Sequence, residues 1–434
     1  MPILAEVFGI TSAVPTYTYV DRQGLDGRFR YLLTVDRHIV IYGASKQGKT
    51  SLRRKQLPEE QSLVIPCKPD FRVDDIYKEA RRQLGLADVS QEKTKTVVGG
   101  KIGLDVSGEA GIPLLAKGKI QGQVDGTVAR EAETTTSPVP DGLSVVALAG
   151  EIRSAGKRII LEDFHYLPEE ERRRLAFDLK AFWDHGVFFI IVGVWAEQNL
   201  LTVYNNDLSG RVEEIDVQWS EEDLKTVIER GESALEFSFG ETIKSSMIAD
   251  ANGSVGLLQR IAEQICINAS IFNSRPIVRV VDNESYVDSY RMKICSGQEN
   301  RYHTFIELVS KGFKDPERTK LKMYHHLVRV CFTAQEKELL SGLDRQLVLS
   351  RIQAIEPNAN MNVLSAALSR FNRLQVERGI SPPVLSYNGI ARTVSLVDRE
   401  FLFFRRNTKR RWPWDEPDYE TELERMTQPD QGVQ

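Results

Sequence analysis

Short apolar runs ending in glycine or acid mark the first half of the chain, and apolar residues at three- and four-residue spacing mark the second. His38-Ile-Val-Ile-Tyr42 reads as a buried strand that stops at Gly43, and Ser62 to Cys67 reads as a second. Between them, Ser51 to about Gln56 is expected to be helical. Val73 to Leu84 places Ile76, Ala80 and Leu84 at helical spacing. The order strand, loop, helix, strand, helix predicts a parallel sheet with helical crossovers. The pattern resumes with strand 158–161, a charged helix near 168–184, strand 187–193, a helix over about 197–211 and a short last strand at 214–217.

Residues 92–137 interrupt this core with a different period. Ile102, Leu104, Val106, Ala110, Ile112 and Leu114 share one face of an alternating run, and Ile120, Val124 and Val128 share a face of its return. This predicts an inserted amphipathic β-hairpin. After Ser220 the pattern becomes helical: Ser220 and an acidic first turn start a helix expected to end at Gly231, and Val255, Leu258, Ile261, Ile265 and Cys266 form a later stripe. Helices are then expected near 321–332, 344–355 and 362–376, followed by strands 384–387 and 390–396 joined at Asn388-Gly389. Three helices and a hairpin suggest a winged helix. The expected organisation is an α/β P-loop core over 1–216, a helical lid over 217–298, a winged-helix-like domain over 299–412 and an acidic tail over 413–434.

Length supports several domains, since the chain has 434 residues. A net charge of −4 gives the whole chain no nucleic-acid signature. The four cysteines, Cys67, Cys266, Cys295 and Cys331, form no CxxC pair, which argues against a zinc or disulfide framework and fits a reducing, cytoplasmic setting. No run approaches the roughly 18 apolar residues of a membrane-spanning helix, and the N-terminus does not read as a signal peptide.

The chemistry concentrates at Gly43-Ala44-Ser45-Lys46-Gln47-Gly48-Lys49-Thr50, with Ser51 opening the helix. After a strand and before a helix, this spacing turns backbone N–H groups inward onto phosphates. Lys49 is expected on the β- and γ-phosphate oxygens of ATP and Thr50 on Mg²⁺. Glu162-Asp163 follow an apolar strand, where carboxylates serve a metal and an attacking water. Glu162 is assigned to the metal, mainly through water, and Asp163 to polarising the attacking water; the reverse order is the alternative.

Together with Leu208-Ser-Gly-Arg211, these motifs resemble the AAA+ and STAND ATPases over about residues 15–296. The resemblance implies that Arg211 reaches a neighbouring subunit's site, that the protein is a homo-oligomer, and that nucleotide state acts as a switch. More narrowly, "HIVIYGASKQGKTSL", "LEDFHYL", "NGSVGLLQRIAEQIC" and "VDREFLFFRR" resemble bacterial STAND-type ATPases, which implies defence or signalling with an effector protein partner. The chain departs from that pattern where Val194-Trp195-Ala196 follows a strand that should end in a polar sensor. Arg260 is the nearby candidate for a second sensor, read as an exposed helix arginine, and His165 is read as a histidine packed behind the site or holding one of its groups in place.

Alternatives differ in class. Arg370, Arg373 and Arg378, with Arg405, Arg406, Lys409, Arg410 and Arg411, raise an initiator-like DNA-binding ATPase, diluted by Glu336, Glu338 and Asp344. A nucleotide-binding scaffold without turnover is the third reading. The hairpin reads as a β-arm or subunit contact, or as a membrane-inserting barrel strand pair over 97–130.

Overall fold

The structure is a computed structural model that describes residues 1–11, 13–22, 24–86, 144–196, 198–274, 279–312 and 322–416. The expected hairpin at 92–137 lies outside the described residues, as does the tail from 417 onward.

Five strands form the core sheet: β1 (His38–Tyr42), β2 (Ser62–Pro66), β3 (Arg158–Glu162), β4 (Phe189–Val192) and β5 (Val212–Asp216). They are all parallel, in the order β2-β3-β4-β1-β5. Alternation sends side chains to two faces. Val40, Ile159, Leu161, Phe189 and Ile191 pack under helices Val73–Gln83, Val145–Ser154 and Glu169–Asp184. Ile39, Ile41, Ile160, Ile190 and Ile215 pack on Phe29 and Leu32 of helix Leu25–Leu32 and on Leu52 of helix Lys49–Gln56. Both faces of the sheet are therefore covered, which is why its strands read as continuous apolar runs. Helix Leu25–Leu32 had no counterpart among the expected elements.

Several expectations shift for physical reasons. The segment 197–211 is not one helix: Leu200–Tyr204 is followed by a 3₁₀ turn, Asn206–Leu208, because the Asn205 side chain accepts from Asp207 N–H. Gly231 does not end its helix, which runs Glu221–Leu235. A Cβ there would lie 2.0 Å from the Phe8 ring, so the glycine makes room for an aromatic rather than a stop. The segment after Ser220 is not all helical, since β6 (Phe237–Phe239) pairs in parallel with β7 (Arg279–Val281). Helix Ser285–Ser310 runs straight through the boundary drawn at 298.

The C-terminal elements appear as helices Met323–Thr333, Glu336–Ser341, Arg345–Gln353 and Met361–Glu377 and strands β8 (Leu343–Asp344), β9 (Leu385–Asn388) and β10 (Thr393–Leu396). Residues 389–392 make the β9–β10 turn, longer than the two-residue Asn-Gly turn expected. One hydrophobic cluster joins Leu224, Leu258 and Ile261 to Phe305, Phe332, Phe371 and Phe401. The segment after 217 thus folds around a shared core. Trp414, expected in a mobile tail, packs on that core beside Trp412.

Candidate functional site

The loop after β1 owes its shape to three left-handed positions, Lys46 (φ 59°), Gly48 (φ 74°) and the more extreme Gly43 (φ 135°). A side chain at Gly43 would meet the Val217 carbonyl at 2.8 Å, so glycine is required there. Helix Lys49–Gln56 begins at once, two residues before the expected start. Its first turn aims free N–H groups at the loop's interior, the arrangement that holds phosphate.

Lys49 is nearly buried, at 8% exposure. Its ammonium donates to the carbonyls of Gly43 (3.2 Å) and Ala44 (2.6 Å). Burial pulls its pKa down to about 8, against the opposing pull of Asp163, Glu162 and Asp216. Asp163 follows β3 in a left-handed conformation, φ 55°, a strained backbone of the kind that gathers at functional sites. Burial, and then Glu162 beside it, hold its carboxyl above the usual range. Thr50 Oγ1 donates to Glu162 Oε2 at 3.4 Å, which brings the two expected metal ligands together across the loop. A hydroxyl and a carboxylate oxygen suit a hard cation that takes its other ligands from phosphate and water. Among the described residues no cluster of three or more His, Cys, Asp or Glu could hold a metal by itself.

The other side of the loop is held by distant segments. Ser45 N–H donates to the Val397 carbonyl, and Gly256 N–H donates to the Lys46 carbonyl. The Gln47 carbonyl accepts from Arg22 (2.7 Å) and from Trp219 Nε1 (3.0 Å), while the Gln47 amide donates to the Gly253 carbonyl (2.9 Å). Arg22 also lies over the Trp219 ring, 4.5 Å from its centre. Lys46 reaches Glu400 at 2.8 Å. Glu400 is buried and also accepts from Arg260 (3.0 Å) and Gln298 (2.7 Å). Arg260, expected as an exposed helix residue or second sensor, is therefore tied to the C-terminal segment. Glu400 stood out in the sequence only inside the run "VDREFLFFRR", without a role; the roles of Arg22, Trp219 and Glu400 exist only through contacts across the chain.

At the end of β4 the backbone N–H of Val194 donates to His165 Nδ1 at 3.2 Å. That assignment leaves the proton on Nε2, which has no partner among the described residues. Burial, then Lys49 and Arg172, push the His165 pKa down to about 3, so the ring is neutral.

Arg211 is not brought to this site within the chain. Its carbonyl accepts from His38 N–H at the start of β1, whereas the loop follows the end of β1. Five residues of strand, about 16 Å, separate the two ends. Its guanidinium lies over the Trp183 ring at 4.7 Å. Part of the basic set is internally spent: Arg378 donates to the Gly312 carbonyl, Arg405 to the Ala334 carbonyl, and Arg405 and Arg406 pair with Glu336.

A cavity of about 210 Å³ adjoins the loop at Gly48 and Ser51. Ile10, Pro15, Tyr19, Trp219, Val255 and Gly256 contribute its walls.

No protein-family model matches the sequence, and no curated protein matches it. Among solved structures, the Walker-type ATPase of Pyrococcus abyssi is similar over 92% of this chain and 99% of its own, with a TM-score of 0.54 and 13% identity. Cdc6p of Pyrobaculum aerophilum is similar over 98% of this chain and 99% of its own, with a TM-score of 0.39 and 11% identity. A STAND protein of Pyrococcus horikoshii with a tetratricopeptide repeat sensor is similar over 97% of this chain and 46% of its own, with a TM-score of 0.37 and 12% identity. The last two likenesses are too loose to carry a structural argument. The parallel sheet, its strand order and the first likeness make the core an α/β P-loop NTPase fold.

Proposed function

We propose that the protein binds ATP with Mg²⁺ and hydrolyses it, and that the nucleotide governs how the segment after residue 217 sits on the core. The observation that carries the reading is the convergence of Lys49, Thr50, Glu162 and Asp163 on the mouth of one loop. The adjoining cavity would take the adenine and ribose. The loop's N–H groups and the Lys49 ammonium would bind the β- and γ-phosphates, displacing Lys49 from the Gly43 and Ala44 carbonyls. Thr50 and Glu162 would hold Mg²⁺, which supplies neutralising charge between those phosphates. Asp163 would orient a water and accept its proton as the water oxygen bonds to the γ-phosphorus. The bond to the bridging oxygen then breaks, leaving ADP and phosphate. Arg211 would act only from one subunit on the next. Conversion of labelled ATP by the purified protein tests the reading: turnover should vanish in Lys49→Ala, while Asp163→Ala should keep ATP bound uncleaved. Full turnover by Lys49→Ala would overturn it.

The switch half of the reading is supported by Val397 and Glu400, which meet the loop directly at Ser45 and Lys46. Light scattering with and without ATP tests it together with homo-oligomer formation. An unchanged mass and an unchanged hydrodynamic radius would remove the switch. Adding duplex DNA to the turnover assay addresses the initiator-like alternative, since DNA-stimulated turnover is its signature. ATP binding without phosphate release would leave the scaffold reading.

A further inference from the structure

The helix that opens at Lys49 carries a second cation one turn on. Residues four apart share a helix face, so Arg53 points where Lys49 points, toward the end of β3. Arg53 is completely buried, at 0% exposure. Its Nε and one terminal nitrogen both donate to a single oxygen, Glu162 Oε1, at 3.1 and 2.9 Å. The other terminal nitrogen has no partner among the described residues. Glu162 Oε2 is the oxygen that accepts from Thr50. The two oxygens thus have separate duties: one is gripped by a rigid guanidinium, and the other faces the hydroxyl expected on the metal.

We propose that Arg53 is a positioning residue that grips Glu162 by Oε1, keeps Oε2 turned toward Thr50 as a divalent-cation donor, and thereby sets how strongly a bound nucleotide recruits Mg²⁺. The inference rests on the nucleotide-site reading above. A buried ion pair contributes little net stability, because desolvation offsets most of the attraction; packing alone therefore gives a weak reason for a guanidinium here. The grip also cancels the charge of Glu162. A cation approaching the empty loop meets the Asp163 and Asp216 carboxylates and the Lys49 ammonium on which both pull. Mg²⁺ should therefore arrive with the nucleotide rather than ahead of it.

The test is the ratio of affinities for a non-hydrolysable imido analogue of ATP in Mg²⁺ and in EDTA, measured by titration calorimetry on the full chain. Arg53→Lys keeps the charge and loses the fork. It should lower the ratio about tenfold, ~1.4 kcal/mol, while affinity in EDTA changes less than about twofold. An unchanged ratio, or equal losses in both media as from a merely structural defect, would overturn the proposal. Should Arg53→Lys not fold, Arg53→Met with Glu162→Gln removes both charges at similar volume. Its ratio should match that of Glu162→Gln alone, and a further drop would show Arg53 acting other than through Glu162. Failure of the unaltered protein to bind the analogue at all would instead overturn the nucleotide-site reading, and this inference with it.

Discussion

Lys49 and Lys46 stand three residues apart in one loop, yet they face different parts of the chain. Lys49 is buried and looks inward, at the loop's own carbonyls and the β3 acids. Those carbonyls and acids lie at the ends of the core strands β1 and β3. Lys46 looks outward to Glu400, which lies 354 positions away in sequence and is shared with Arg260 and Gln298. The inner side, proposed to bind phosphate, is assembled from contiguous motifs. The outer side is a junction at which the N-terminal segment, the helices after residue 217 and the C-terminal segment meet. Under the reading proposed above, one loop would be read twice, once by phosphate chemistry and once by packing, and nucleotide state would be coupled to the remainder of the chain through it.

The largest effect should come from the inner side. Lys49→Ala removes a charge-assisted contact worth about 2–3 kcal/mol, on the order of 100-fold in ATP affinity. Thermal unfolding of the empty protein should change little or even rise, since a buried, desolvated ammonium is removed. An affinity loss under about threefold would show that phosphates do not reach Lys49.

On the outer side, Glu400→Gln leaves Lys46 and Arg260 without their buried carboxylate. Both cations are partly exposed, so the cost should be about 2 kcal/mol rather than the full penalty of a buried pair. Denaturant unfolding reads it. Lys46→Met should cost less, about 1 kcal/mol, because Arg260 still answers Glu400. If Glu400→Gln is neutral, the junction is not a stabilising one.

Proton traffic at Lys49 gives a further test. The Lys49 pKa is lowered in the folded protein to about 8, below its ordinary value of 10.5. The unfolded chain holds the extra proton in that window, so stability rises with pH from about 8 upward. Below about 8 the burial penalty is present in full. Bound phosphates restore the charge, so nucleotide binding near pH 8 to 9 should take up a fraction of a proton, and affinity should fall as pH rises through that range. Calorimetry in buffers of different ionisation enthalpy measures the uptake. No uptake in the unaltered protein, or the same uptake in Lys49→Ala, would place the proton elsewhere.

The smallest effect is expected farthest from the loop. Arg211→Ala should leave nucleotide affinity of the single chain within about twofold and cost under about 1 kcal/mol for its contact with Trp183. A larger affinity loss in the monomer would contradict its place at the far end of the strands.

The core strands were legible because a sheet buried on both faces demands unbroken apolar runs, and β1, β3 and β4 show them. The loop and its acids were legible because their chemistry depends on local spacing after a strand. Gly231 misled for an instructive reason: a glycine that admits the Phe8 ring looks like a helix stop until the tertiary neighbour is known. Arg260 misled likewise, since a charged helix residue reads as solvent-exposed unless its partner is visible.

By itself, then, the sequence determined the order of the sheet-forming segments and the loop between the first two, and it singled out the residues proposed to meet phosphate and metal. Each of these follows from periodicity or spacing within a few turns of chain. Only the tertiary structure decided that Glu162 is gripped by Arg53, that His165 ties off the end of β4, and that Glu400 closes on Lys46. Those contacts join residues from 29 to 354 positions apart. No local pattern encodes such pairs, because their energies arise from burial and charge neutralisation that exist only once the segments have packed.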